Sequence, residues 1–118
     1  MQVDIQALGF PLTAALREHT ERRLRFALTR SGDRITRVSV RVGDTNGPRG
    51  GVDKFCRMRV AVDRTAPVVI EEVGADLYVV IDRAAERAGR NVAKCVVRAQ
   101  ESARAGSRWR ADPPAAEA

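Results

Sequence analysis

The sequence predicts an α+β fold with the order β-α-β-β-β-α: a four-stranded sheet with two helices packed on one face. Three observations carry this. Three segments alternate apolar and polar residues with a period of two, and a fourth short segment, "VVIEEV", is rich in β-formers. Two other segments repeat apolar residues at helical spacing. The strand positions on the second face are rich in arginine, so only one face of the sheet can be covered.

Taken in order, "MQVDIQAL" sets Val3, Ile5 and Ala7 against Gln2, Asp4 and Gln6, which is a strand. "GFPLT" breaks it, and Thr13 is placed to cap a helix. That helix follows in "AALREHTERRLRFALTR", with Leu16, Thr20, Leu24, Ala27 and Leu28 on one face. Glu18 before Arg22 and Glu21 before Arg25 add favourable contacts four residues apart. "SGD" ends the helix, with Gly32 suited to its C-terminal cap. In "RITRVSVRVGD", Val38, Val40 and Val42 oppose Arg37, Ser39 and Arg41. In "KFCRMRVAVD", Cys56, Met58, Val60 and Val62 oppose Arg57 and Arg59. "RTAP" is a turn, "VVIEEV" the last strand, and Gly74 the break before a long helix from about Asp76 to about Arg104.

The chain of 118 residues has the size of one domain. We expect that domain over residues 1–105, with a disordered Pro- and Ala-rich tail over 106–118. Aromatic residues make up only 4%, so the core must rest on Val, Leu, Ile and Ala. The net charge is +6, from 21 basic and 15 acidic residues, and a pI near 10.6 points to a polyanionic partner. Residues 1–16 lack a secretory signal, and no run approaches the roughly 18 apolar residues of a membrane span. A cytoplasmic protein without a membrane partner is expected. Cys56 and Cys95 lack metal-type spacing and fall at apolar positions, which predicts two buried thiols in a reducing compartment.

The long helix carries the chemistry. At about 100° per residue, Leu77, Ile81, Ala84, Ala88, Val92, Cys95 and Ala99 form the core stripe. Arg83, Arg87, Arg90, Lys94 and Arg98 fall in a second arc, spaced about 4.5–6 Å along the axis. Such a row of like charges weakens a helix unless phosphates compensate it. Nothing points to catalysis. His19 has no nucleophile in a motif with it, and Asp4, Asp33, Asp44, Asp53 and Asp63 lack the grouping that a metal or acid–base pair needs. No enzyme activity, cofactor, metal or small-molecule substrate is expected. The loop "DTNGPRGGVDKFC" fails as a phosphate cradle, since strands flank it and no Ser or Thr follows Lys54. It reads as a wide hairpin tip that projects Arg49 and Lys54, a secondary RNA contact. In the tail, Trp109 between Arg108 and Arg110 could stack a base, although a loose tail aromatic is the simpler reading.

"VGADLYVVIDRAAERAGRNVAKCVVR" resembles the last helix of the ribosome hibernation-promoting factors, the HPF/RaiA-type ribosome-associated proteins. The matching features are Gly74, Asp76-Leu77-Tyr78, Ile81-Asp82 and the basic residues at 87, 90, 94 and 98. "MQVDI…LTAALRE" and "DRITRVSV" resemble the same family's first strand, helix entry and second strand, so the likeness spans about residues 1–105. The resemblance implies a short-form member that binds 16S rRNA of the small ribosomal subunit and occludes the mRNA and tRNA channel under stress. It implies rRNA contacts for Arg23, Arg87, Arg90, Lys94 and Arg98; Arg83 joins them from the charge stripe alone. Phe26 and Ser31 stand where better-known members tend to carry a lysine and an aromatic residue. The sequence holds no second domain like the dimerisation module of long members, so tethering of two ribosomes through that module is not expected. Two other readings stay open. One is a generic double-stranded RNA-binding domain, although that class begins with a helix. The other is a protein–protein adaptor using the open face at Arg37, Arg41, Arg57 and Arg59.

Overall fold

The structure is a computed structural model and describes residues 1–44 and 54–108. Strands β1 (Gln2–Leu8), β2 (Ile35–Asp44), β3 (Lys54–Val62) and β4 (Val68–Gly74) form one sheet in sequence order. Helices α1 (Ala14–Ala27) and α2 (Leu77–Arg108) complete the β-α-β-β-β-α order. β1 runs parallel to β2 through the α1 crossover, and the other pairs are antiparallel.

Register puts the apolar residues in rows across the covered face. Val3, Val38, Val60 and Val68 make one row, and Ile5, Val40, Met58 and Ile70 the next. A third row, Ala7, Val42 and Cys56, ends at the edge on Glu72. α2 lies across β3 and β4, and α1 packs beside it. Val80, Ile81, Ala84, Ala85, Ala88 and Val92 are buried beneath α2, and Leu16, Leu24 and Leu28 beneath the first helix and its end. Each fully buried Val, Leu or Ile contributes about 1.5–3 kcal/mol. The polar member of the stripe, Thr20, is fully buried and donates its hydroxyl to Leu16 O at 2.8 Å.

Both helix starts are capped by side chains. Thr13 Oγ1 accepts from Leu16 N at 3.1 Å, as the sequence predicts. Asp76 Oδ1 accepts from Tyr78 N at 3.0 Å, which also sets a negative charge at the N-terminal end of α2. The end of α1 differs from expectation. The helix stops at Ala27, Leu28 caps it with φ −102°, and Thr29–Arg34 continue as a tight 3-10 turn. Gly32 lies inside that turn and not in a left-handed cap. Burial of Leu28 and Ser31 draws the chain inward and winds it before a glycine is needed. α2 also runs past its expected end near Arg104 to Arg108. The glycine-rich loop with Arg49, and the tail with Trp109 and Arg110, lie outside the described residues.

The helices meet at Gly89. A Cβ there would sit 2.5 Å from the carbonyl oxygen of Ala27, so only glycine allows this approach. Gly89→Ala is therefore expected to lower stability by about 1–3 kcal/mol despite alanine's better helix propensity, read as a lower urea midpoint.

Cys56 is fully buried, and burial, with Glu72 beside it, pushes its thiol up from 9.0 to about 12. The neutral thiol is thus favoured in the fold. Its stabilising effect is complete below pH 9 and is lost between pH 9 and about 12, when the unfolded chain ionises first. Urea unfolding from pH 8 to 11 should show an alkaline decline that is shallower in Cys56→Ala. Equal slopes would place the titration elsewhere.

Candidate nucleic-acid interface

α2 is about 48 Å long at 1.5 Å per residue, longer than any strand beneath it. Its predicted arc of cations is exposed throughout, at Arg83, Arg87, Arg90, Lys94 and Arg98. The arc is not uniform, because neighbours claim some members. Arg87 leans over the sheet edge, where its Nη1 donates to the Glu72 carboxylate and, at 3.2 Å, to Glu71 O. Glu72 needs this partner: its strand position points it to the covered face beside Cys56. Among the described residues Arg83, Arg90, Lys94 and Arg98 have no ion pair. Their charge is available to a partner.

The α1 residues 19, 23, 26 and 27 fall at helical spacing and, with Arg30 of the 3-10 turn that follows, form the side turned to α2. Asp82 of α2 holds the upper part of this seam. His19 Nε2 lies 2.7 Å from Asp82 Oδ1, and Arg23 Nε lies 3.1 Å from the same oxygen. The Arg23 Nε is buried and not aligned for a hydrogen bond, so the contact is electrostatic. The His19 ring meets Tyr78 edge-on at 4.8 Å between centroids. His19 is thus a packed imidazole with a carboxylate partner, and Tyr78 and Asp82 hold the two helices in register.

Below this seam the helices frame an open groove. Arg23, Arg30 and Arg90 line it, together with Phe26, Ala27, Glu86 and Gly89. Phe26 is 76% exposed, the most exposed large apolar side chain described. The close crossing at Gly89 places Arg90 beside Arg23 of α1 and Arg30 of the turn that follows. Sequence reasoning missed Arg30 and Phe26 as members of this site. The signal was present in the spacing of residues 23, 26, 27 and 30, but arginines around all sides of α1 hid it. Arg98 is set apart from the groove, in a cleft under the overhanging end of α2 with Arg34 and Arg64. Cys95 lines the same cleft and is only half-buried, so the expectation of two fully buried thiols holds for Cys56 alone.

At the hairpin, Lys54 Nζ lies 2.7 Å from Asp44 Oδ1, so its charge is engaged at the base of the loop. Among the described residues no three potential ligands gather to hold a metal, and no helix is long and apolar enough to cross a membrane.

Comparison with known proteins agrees with this geometry. No curated protein sequence matches the chain. Among solved structures, a ribosomal subunit interface protein from Coxiella burnetii matches with a TM-score of 0.69 at 18% identity. The match covers 80% of this chain and 96% of that one, and at this identity it bears on the fold alone. The N-terminal domain of Thermus thermophilus Protein Y matches with a TM-score of 0.65 at 26% identity, covering 78% of this chain and 96% of the other. A family described as Sigma 54 modulation protein / S30EA ribosomal protein matches residues 3–100. Apart from Gln2 that span includes every described strand, with the whole of α1 and the unpaired cations of α2, and the chain belongs to this family.

Proposed function

We propose that the protein is a ribosome-associated, non-enzymatic silencer of translation that acts in the cytoplasm. Its helical face binds 16S rRNA of the small subunit, and its rigid body occludes the channel that mRNA and tRNA use. The observation that carries this reading is the groove where Arg90 of α2 meets Arg23 of α1 and Arg30 of the turn after it, continued along α2 by the exposed cations Arg83, Lys94 and Arg98, in a chain of this family. A sheet-backed helix pair with no flexible joint between the rows of charge can hold phosphates in fixed register. Each phosphate bound releases counterions. Phe26 adds an apolar plate among the groove arginines, on which an unpaired base can stack.

Within this reading the arginines differ in role. Arg87 uses Nη1 on the Glu72 carboxylate and Glu71 O, so it contacts RNA with its remaining donors and steadies the edge of the sheet. Arg23 keeps contact with Asp82 while facing the groove. Lys54 extends the contact, with its amine oriented by the Asp44 carboxylate, and Arg49 is the second contact assigned to this loop.

The test is co-sedimentation with small ribosomal subunits. Reversing Arg83, Arg90 and Lys94 to Glu should abolish it and leave the fold intact, because none of the three has an ion-pair partner among the described residues. Binding of the unaltered protein should weaken with salt at a log–log slope of roughly −0.7 to −0.9 per phosphate contact. A triple variant that sediments like the unaltered protein would remove the helical face from the interface. Equal affinity for any RNA duplex would favour a generic duplex binder instead. Arg49→Ala is expected to weaken binding only a few-fold, and no change would reduce the loop to a hairpin tip.

A further inference from the structure

The face of the sheet turned away from the helices carries charge that the fold does not use. Strand register places Gln6, Arg41, Arg57 and Glu71 in one row across it, and Asp4, Ser39, Arg59 and Val69 in the next. Arg37 is neutralised by Asp4 at 3.1 Å. The side chains of Arg41, Arg57 and Arg59 make no ion pair or hydrogen bond among the described residues, and all three are exposed. Arg41 stands directly opposite Arg57. Like charges facing each other across strands destabilise a sheet. Glu71 lies opposite Arg57 on the other side, yet makes no ion pair with it.

The next outward residue on β3 is Phe55. Its ring covers Gly43: a Cβ on Gly43 would lie 2.9 Å from Phe55 Cε2 and 3.1 Å from Cζ. The ring is half-buried, rests on the glycine backbone and keeps its remaining surface open. Leu8 and Val73, both exposed, flank the same row. Along β3 the outward side chains therefore read Phe55, Arg57, Arg59, in steps of about 6.6–6.8 Å. That step is comparable with the separation of successive phosphates along an extended nucleic acid strand. Gln6 and Ser39 line the adjoining groove and offer hydrogen bonds to bases or ribose.

We propose that this open face is a second RNA-binding surface, which takes a single-stranded segment along β3 with phosphates on Arg41, Arg57 and Arg59 and a base stacked on Phe55. An unpaired strand is required, since a base within a duplex cannot reach the ring. An acidic peptide would satisfy the arginines but would give Phe55 no matching partner. The site lies on the opposite side of the sheet from the helices and stands independently of the ribosome-binding reading.

The experiment uses the full chain and a 5′-labelled 12-nucleotide uridine RNA, read by fluorescence anisotropy. Protein already carrying Arg83→Glu, Arg90→Glu and Lys94→Glu should retain measurable binding. Adding Arg57→Glu and Arg59→Glu should lower affinity by about tenfold or more and make the salt slope shallower by about 1.4, the share of two single-strand phosphates. Phe55→Leu, which still covers Gly43, should lower affinity several-fold with the slope unchanged. A 4-thiouridine version of the RNA should cross-link to the β3 peptide. Circular dichroism and the thermal midpoint monitor folding, and Arg57→Gln with Arg59→Gln replaces the reversal if the latter unfolds. Unchanged affinity in the sheet variants overturns the proposal. So does displacement of the RNA by poly-glutamate with no effect of Phe55→Leu, which would mark an acidic-peptide surface. A triple helix variant that still sediments with ribosomes would sink only the earlier reading, and sheet variants that leave RNA affinity unchanged would sink only this one.

Discussion

The carbonyl oxygen of Ala27 occupies space that a side chain at Gly89 would need, and the helical face depends on that contact. It fixes how closely α1 and α2 lie, and so the width of the groove between Arg23, Arg30 and Arg90. Nearer the start of α2, Asp82 sets the same separation by holding His19 and Arg23 of α1. One contact is steric and the other electrostatic. Together they stop the helices from sliding, which matters for a surface that must match phosphates at fixed spacing. The sheet below supplies rigidity, because its covered rows interlock valine and isoleucine side chains with little freedom at χ1.

Cations in this protein divide into two groups by what lies opposite them. Arg37, Arg87 and Arg23 each meet an acid, at Asp4, Glu72 and Asp82, and these acids stand at seams: a strand pair, the sheet edge under α2, and the helix pair. Their arginines contribute to assembly of the fold. Arg83, Arg90, Lys94 and Arg98 on the helices, and Arg41, Arg57 and Arg59 on the sheet, meet none among the described residues. Exposed charge of this kind adds little to stability and favours association with polyanions. Among the described residues, both faces thus present unpaired arginines to a partner. Glu72 shows how closely the two groups are interleaved. It completes the row of Cys56 on the covered face, raises that thiol's pKa and takes up one member of the α2 arc.

The sequence by itself determined the element order, the inward and outward faces of β2 and β3, the Thr13 cap and the middle of the α2 core stripe at Ile81, Ala84, Ala88 and Val92; burial of Val80 and Ala85 came only with packing. Those four features follow from local periodicity and side-chain chemistry, which act within a few residues of each position. The exposure of Arg83, Arg90, Lys94 and Arg98 was legible for the same reason, since a helix displays its arc wherever it is placed. Gly32 was misplaced because the end of α1 is set by burial of Leu28 and Ser31, contacts with residues distant in sequence. Only the tertiary structure decided which cations are neutralised, because Arg87 and Glu72, Arg23 and Asp82, and Arg37 and Asp4 meet across different elements. It likewise decided that Phe26 lies at the lip of an arginine-lined groove and that Phe55 rests on Gly43, since strand register and helix approach are collective results of packing and cannot be read from one segment.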